Sequence, residues 1–410
     1  MSEFKNFAFG EQVLTSLEAM GFTKPTPIQE QTIPIILDNH DIIGCAQTGT
    51  GKTAAYLLPV IQHIVDRQPT NIDTLIIAPT RELALQIDQQ LEGFSYFTPV
   101  SSTAIYGGRD GASFEREKKA LTKGADIIIA TPGKLLQHLN LGYVDFSHLQ
   151  HFILDEADRM LDMGFYEDII RIASHLPKKR QTLLFSATMP PKIRSMANKI
   201  LTDPKQVNIA ISKPAEGVFQ AGFYTYDHQK VPLIEHLLKA KEITSAIIFC
   251  STKRSVKEIE KALKGIDLNV KSIHSDLDQL EREKVLLSFR NHQTQVLVAT
   301  DIVARGIDIE DIELVVNFEV PRDAEDYVHR VGRTARAAST GIAFTLINDE
   351  DRYRFRKIEK LIDKEISIGQ LPEHLGEGPD PKAAPKFNGR NPRRGKSGKR
   401  PFRKGGKVRK

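Results

Sequence analysis

This chain is predicted to be an α/β protein in which parallel sheets, covered on both faces by helices, are built twice along the sequence. Three observations predict it. Short, nearly continuous apolar runs alternate with helical patterns; the alternation loosens after Val207 and restarts at Phe219; and a Gly-rich turn, Gln47 to Gly51, joins one apolar run to one helical segment. Strands apolar along their whole length are those of parallel sheets buried on both faces. At 410 residues the chain is also longer than one core supports, so it divides into domains.

In chain order, Phe4, Phe7 and Phe9 precede a helical pattern through Val13, Leu14, Leu17 and Met20. Gly21 to Pro34 comes next, bent by Pro25, Pro27 and Pro34. Within it Gln29 could read the edge of a base, since its amide offers both a donor and an acceptor; without other context such a residue is more often a surface Gln. The apolar run Ile42 to Cys45 then stops at the Gly-rich turn, and Lys52-Thr53 opens a segment with helical periodicity, Ala54 to Val65. Strand, loop and helix in that order make a cradle for polyphosphate, with Lys52 reaching the β/γ-phosphates and Thr53 holding Mg²⁺. Ala46 departs from the general G-x-x-x-x-G-K-[ST] pattern, and a Gly-rich surface turn is the competing reading.

The remaining strands of this half are Thr74 to Thr80, Ser101 to Gly108, Ala125 to Pro132, His151 to Asp158 and Gln181 to Thr188. Ligands of such sheets sit beyond the carboxyl ends of the strands. Polar residues gather there: Thr80 and Arg81, Gly107 and Gly108, Thr131 to Lys134, Asp155 to Asp158, Ser186 to Thr188. In the second half the runs are Phe219 to Tyr226, Ala246 to Thr252, Val270 to Asp276, Gln295 to Asp301, Leu314 to Val320 and Gly341 to Ile347. It has no phosphate loop, which suggests that it completes the first half's site. The boundaries expected are 1–208, a linker 209–218, 219–370, and a disordered basic tail 371–410.

Charge separates that tail from the rest. From Pro381 to Lys410 there are 13 Lys and Arg and no acid, leaving 44 basic against 52 acidic residues before it, a net −8. No run of 18 apolar residues marks a membrane span, and the start lacks the pattern of a signal peptide. The only cysteines, Cys45 and Cys250, lie far apart in apolar runs, so small buried hydrophobes in a reducing cytoplasm are expected.

A phosphate loop needs a carboxylate for the metal and a group that activates water. Asp155 is placed to hold Mg²⁺ through its water shell, and Glu156 to orient or deprotonate the attacking water, provided a turn after the strand brings both to one site. Such a pair could equally cap a helix. Cations against the transferring group can come from a second domain, and Arg333 and Arg336, one helical turn apart, suit that role. A solvated basic surface is the alternative.

With these residues in view, the chain resembles the DEAD-box ATP-dependent RNA helicases of superfamily 2 from roughly Phe4 to Lys364. The resemblance implies two tandem RecA-like domains. Phe4 and GFTKPTPIQ resemble the family's Q motif, with Phe4 stacking on adenine and Gln29 hydrogen bonding to it. AQTGTGKT resembles motif I, so Ala46, Gln47, Thr48, Gly49, Thr50, Gly51, Lys52 and Thr53 are implied to hold ATP. Asp155 to Asp158 read DEAD, and Ser186 to Thr188 read SAT, which in the family links ATP chemistry to strand separation together with Asp158. ATDIVARGID places Gly306 and Asp308 near the nucleotide, and HRVGRTAR contributes His329, Arg330, Arg333 and Arg336.

RNA contacts implied by the resemblance are Pro79, Thr80, Arg81, Glu82, Gly107, Gly108, Thr131, Pro132, Gly133, Lys134, Gln279, Arg282 and Thr300. These suit the RNA backbone more than its bases. Lys134 stands where the family usually has Arg, Ala335 where it has Gly, and Ser275 where Gly is common. The implied cofactors are ATP and Mg²⁺, and the implied activity is local, non-processive unwinding or remodelling of RNA. An ATP-gated RNA clamp or assembly factor would use the same motifs, and a DNA translocase is a third reading. The short tail looks most like bacterial RhlE-like members, and ribosomal precursors or RNA decay machinery are partners by analogy.

Overall fold

The computed structural model describes residues 3–47, 49–107, 111–209, 217–239, 243–265, 268–274, 276–300, 312–334 and 341–381. Among these, the first half carries strands β1 (Ile42–Cys45), β2 (Thr74–Ile77), β3 (Ser102–Ile105), β4 (Ile127–Ala130), β5 (His151–Leu154), β6 (Gln181–Ser186) and β7 (Lys205–Asn208). Its helices are α1 (Glu11–Ala19), α2 (Pro27–Leu37), α3 (Lys52–Arg67), α4 (Arg81–Phe94), α5 (Gly111–Lys123), α6 (Pro132–Asn140), α7 (Ala157–Asp162), α8 (Tyr166–Ser174) and α9 (Pro191–Ile200). The second half carries β8 (Val218–Tyr224), β9 (Ala246–Cys250), β10 (Val270–Ile273), β11 (Val296–Thr300), β12 (Leu314–Asn317), β13 (Gly341–Ile347) and β14 (Ser367–Ile368). Helices α10 (Asp227–Lys239), α11 (Lys253–Leu263), α12 (Gln279–Arg290), α13 (Ala324–Val331) and α14 (Arg352–Ile362) cover it.

The strand orders are β3-β4-β2-β5-β6-β1-β7 and β10-β11-β9-β12-β13-β8-β14, the same order twice. Every pairing is parallel. Each sheet divides its apolar side chains between its two faces. In the first, Ile76, Ile129, Ile153 and Leu183 pack against α1 to α4, while Leu75, Ile128, Leu154 and Leu184 pack against α6 to α9. The second sheet repeats the arrangement, with Val315 and Leu297 on one face and Val316 and Val298 on the other. Such two-sided burial is why the strands read as unbroken apolar runs.

Two short strands at the sheet edges were not expected. β7 buries only Val207 and β14 is exposed on both residues, so neither shows an apolar run. Residues 371–381 also correct the sequence reading, which assigned them to a disordered tail. Leu371 and Leu375 pack on the second core, Gln229 Nε2 donates to the carbonyls of Leu375 (2.8 Å) and Glu377 (3.1 Å), and Arg352 Nη1 donates to that of Pro381 (3.1 Å). Their Pro- and Gly-rich composition hid this strap because it is held by backbone carbonyls. Cys250 is buried and Cys45 half-buried, both as free thiols. No described helix is long and apolar enough to cross a membrane.

Candidate active site

The parallel first sheet sends the ends of β1, β2, β4, β5 and β6 to one edge, and the polar clusters lie there. After β1, Gly49 and Gly51 adopt φ of 82° and 90°, where other residues are strained. At Gly51 space is limiting too, since a Cβ would stand 2.4 Å from Gln29 Nε2. Thr50 Oγ1 donates to the Gln47 carbonyl (2.7 Å), and buried Lys52 folds back to donate from Nζ to the Ala46 carbonyl at 2.6 Å. A phosphate would draw that ammonium away from a neutral acceptor, because charge-assisted bonds are the stronger. Thr53 lies in the first turn of α3, half-buried.

Gln29 is the third residue of α2. Its Oε1 accepts from the Thr26 N–H (2.9 Å) and its Nε2 donates to the Gly51 carbonyl (3.0 Å), so the amide ties α2 to the loop. One Nε2 hydrogen and one Oε1 lone pair remain for a base. Phe4 departs from expectation: its ring is 4 % exposed and packs edge-on against Phe7 (6.1 Å) and Phe22 (6.4 Å). A ring so covered has no open face for adenine in this structure, whereas Phe7 and Phe22, the latter in the same segment as Gln29, are half-buried.

After β5 the turn that the two acids require is present. Glu156 adopts φ 51°, ψ 51°, a left-handed conformation that costs a non-glycine residue on the order of 1–3 kcal/mol. Asp155 is buried; its Oδ2 accepts from Tyr56 Oη (3.0 Å) and its Oδ1 from the Glu156 N–H (2.9 Å). Burial, and next to it the charge of Glu156, push the Asp155 carboxyl up to about 6, with Lys52 opposing the rise. A carboxylate buried beside a second one, with a hydroxyl residue on the facing helix, is a donor set that fits a divalent cation bound through water. Burial also works against Glu156, yet Arg159, Lys52 and Arg333 together hold it below its ordinary value. Arg159 Nη1 lies 3.2 Å from Glu156 Oε2.

Asp158 faces β6. Its Oδ2 accepts from the N–H groups of Ala187 (3.1 Å) and Thr188 (2.9 Å) and from Thr188 Oγ1 (3.1 Å). Its own N–H donates to Ser186 Oγ (3.2 Å), which donates on to the Thr188 carbonyl (2.8 Å). Ser186, Thr188 and Asp158 are thus one hydrogen-bonded unit.

Across a seam between the halves, His329 and Arg333 line a cavity of about 490 Å³ together with Lys52, Glu156, Asp158 and Thr188. Arg330 does not face it. Its buried guanidinium donates to Asn317 Oδ1 (2.9 Å) and the Glu319 carbonyl (3.2 Å), fastening α13 to β12. Thr48, Gly108, Ser275, Gly306, Asp308, Ala335 and Arg336 lie outside the described residues, as does the Gln279 side chain.

Of the residues expected along RNA, Pro79, Thr80 and Arg81 follow β2, Gly107 follows β3, and Thr131, Pro132, Gly133 and Lys134 follow β4. Thr80 caps α4, its Oγ1 accepting from the Leu83 N–H (3.3 Å). Glu82 opens the same helix, half-buried. Arg81 lies over the Tyr106 ring (4.6 Å) and pairs across the seam with Glu283 of α12 (2.6 Å). Arg282 is its neighbour on α12, and Thr300 ends β11. Lys134 is not directed to open solvent: its Nζ is 3.1 Å from Glu117 Oε2 and 5.1 Å from the Phe114 ring centroid.

Sequence reasoning missed Tyr56, Arg159, Glu117 and Glu283. Arg159 stands one helical turn after Glu156, a spacing that could have found it. Tyr56, three residues beyond Thr53, is a lone phenol in an aliphatic stretch. Nothing local singles out Glu117 or Glu283, whose partners are distant in sequence.

Family models match twice: a DEAD/DEAH box helicase model over residues 26–196 and a helicase conserved C-terminal domain model over residues 229–338. The chain is 41 % identical over 373 residues to the ATP-dependent RNA helicase CshA of Listeria monocytogenes, covering 91 % of this chain and 71 % of that protein. To the DEAD-box ATP-dependent RNA helicase CshA of Bacillus subtilis it is 41 % identical over 364 residues, 88 % of this chain and 73 % of that one. Among solved structures, S. cerevisiae Dbp5 bound to RNA and ADP BeF3 superposes with a TM-score of 0.80 at 30 % identity, covering 90 % of this chain and 96 % of that chain. Mss116p bound to ssRNA and AMP-PNP gives 0.78 at 28 % identity, over 91 % of this chain and 80 % of that one.

Proposed function

The chain belongs to the DEAD-box family of ATP-dependent RNA helicases, ATP-hydrolysing enzymes with two RecA-like domains in tandem, and on that premise we propose how its own residues work. ATP occupies the seam with its phosphates on the loop from Ala46 to Thr53. RNA lies across the strand ends that carry Thr80, Arg81, Gly107, Thr131 and Gly133, and continues onto the second half at Arg282 and Thr300. The observation that carries this reading is the cavity lined by Lys52 and Glu156 from one half and Arg333 from the other.

Mg²⁺ would be held by Thr53 and Asp155 and, when bound, supplies positive charge to the β/γ-phosphate oxygens. Lys52 and Arg333 add to that charge, and Glu156 orients the attacking water. Asp158, joined to Ser186 and Thr188, carries the state of the phosphate site toward β6. ATP and RNA together favour apposition of the halves, a short duplex is opened locally without processive travel, and hydrolysis releases it. The superposition of both halves at once on RNA- and ADP BeF3-bound Dbp5 supports that apposition. We place the domain limits at 1–208 and 219–381 and the protein in the cytoplasm. Structured RNA held by its backbone is the partner, with ribosomal precursors and RNA decay substrates the candidates.

Glu156→Gln tests the assignment. The variant is expected to bind ATP and RNA normally and to lose about a hundredfold or more in RNA-stimulated turnover. Normal turnover would remove Glu156 from the water-activating role. With the unmodified protein, multiple-turnover unwinding of a short duplex separates helicase from clamp, since a clamp releases no strand beyond one per protein.

A further inference from the structure

Tyr56 is fully buried on α3, and a buried phenol must find hydrogen-bond partners. The partner of this one belongs to the site. Its Oη donates to Asp155 Oδ2 at 3.0 Å, and Thr53 stands three residues earlier on the same helix. These are the two residues assigned to Mg²⁺. The other Asp155 oxygen accepts from the Glu156 N–H at 2.9 Å, so the carboxylate is held at both oxygens. The phenol is fixed in turn, its ring tilted against Phe185 at 5.3 Å.

We propose that Tyr56 is a positioning residue for the metal–nucleotide complex: its hydroxyl, one helical turn from Thr53, fixes the orientation of the Asp155 carboxylate before the cation arrives. A carboxylate free to rotate would have to be ordered on binding, and groups that orient metal-holding residues typically contribute tenfold or more to metal affinity. The inference rests on the reading of Thr53 and Asp155 as the Mg²⁺ side of the site. A role confined to the core would show itself differently, as lost stability with metal dependence unchanged.

Tyr56→Phe keeps the ring against Phe185 and removes only the oxygen. The affinity of a fluorescent ADP analogue is measured with Mg²⁺ and with EDTA, beside a thermal melt without ligand. The unmodified protein is expected to bind more tightly with Mg²⁺, and the variant to lose about tenfold of that gain while matching it in EDTA. Titration with Mn²⁺ and ADP, followed by electron paramagnetic resonance, should report the same loss with no turnover involved. An equal gain from the metal in both proteins overturns the proposal, even if the variant melts earlier. An unmodified protein that gains nothing from Mg²⁺ refutes the metal reading of Thr53 and Asp155, and this inference with it.

Discussion

The two halves are one sheet built twice in the same strand order, yet only the first has a phosphate loop. The difference lies in the connections that leave equivalent strands. After β1 the chain runs from Ala46 to Gly51 before α3 begins, whereas after β8 only Thr225 and Tyr226 precede α10. That shorter turn leaves no room for a phosphate cradle. The fourth strand of each order tells the same story. β5 runs into Asp155 and Glu156 at the seam, while β12 ends in Asn317, whose Oδ1 accepts from Arg330 and whose Nδ2 donates to Thr345 Oγ1 (3.1 Å). One framework displays anions and a loop, and its copy displays cations. Fold alone therefore does not assign the chemistry; the loop after each strand does.

The largest test of this contrast lies within α13 and the turn after it, where two arginines three residues apart have opposite fates. Arg333→Ala should reduce RNA-stimulated ATP turnover about a thousandfold, the scale of an arginine finger, with little change in melting temperature. Arg330→Ala should act through stability, by about 2–3 kcal/mol, because it strands Asn317 and the Glu319 carbonyl in a buried setting. Turnover kinetics and a thermal melt on both variants decide it. Equal loss of activity at equal stability would mean that both arginines reach the nucleotide.

The lysines in the first turns of α3 and α10 sharpen the comparison. Lys52→Ala is expected to cost at least about a hundredfold in turnover, since it removes a charge aimed at the phosphates. Lys230 is its counterpart in place only: buried, 3.2 Å from Asp227 and over the Phe318 ring, it holds down Glu319 and Asp351, which burial pushes up. Lys230→Ala should leave ADP affinity unchanged and lower stability by about 1–2 kcal/mol. Weakened ADP binding in that variant would show that the second half still contributes a phosphate group at its equivalent strand.

These pairs also show what was legible in the sequence. Long apolar strands and the phosphate loop announce themselves because burial on both faces and positive φ each restrict composition strongly. Asp155 and Glu156 were readable from their place after a strand, and so was the need for a turn between them. The burial of Phe4 was not legible, because an aromatic residue that covers a core and one that stacks on a base have the same composition. Tyr56, Glu117 and Glu283 were invisible for another reason. Their meaning comes from partners as far as 202 residues away, as in Arg81–Glu283, and single-sequence periodicity carries no such pairing.

That Arg81–Glu283 pair gives the smallest effect and the most discriminating one. On the nucleotide side of the seam the first half offers an acid, Glu156, and the second a cation, Arg333. On the side assigned to RNA the polarity reverses, with Arg81 on the first half and Glu283 on the second. With side chains 16 % and 41 % exposed, the pair is worth at most about 1 kcal/mol. Arg81 also belongs to the proposed RNA track, so single substitutions mix two effects. A double-mutant cycle with Arg81→Gln and Glu283→Gln separates them. RNA affinity measured with a non-hydrolysable ATP analogue should give a coupling of about 0.5–1 kcal/mol that shrinks as salt is raised. The single Glu283→Gln variant sets the sign. Weaker RNA binding means that the pair helps hold the halves together around RNA, and tighter binding means that Glu283 competes with phosphate for Arg81. A coupling of zero would leave the seam joined only from the nucleotide side, and the reversed polarity would then be geometry without consequence.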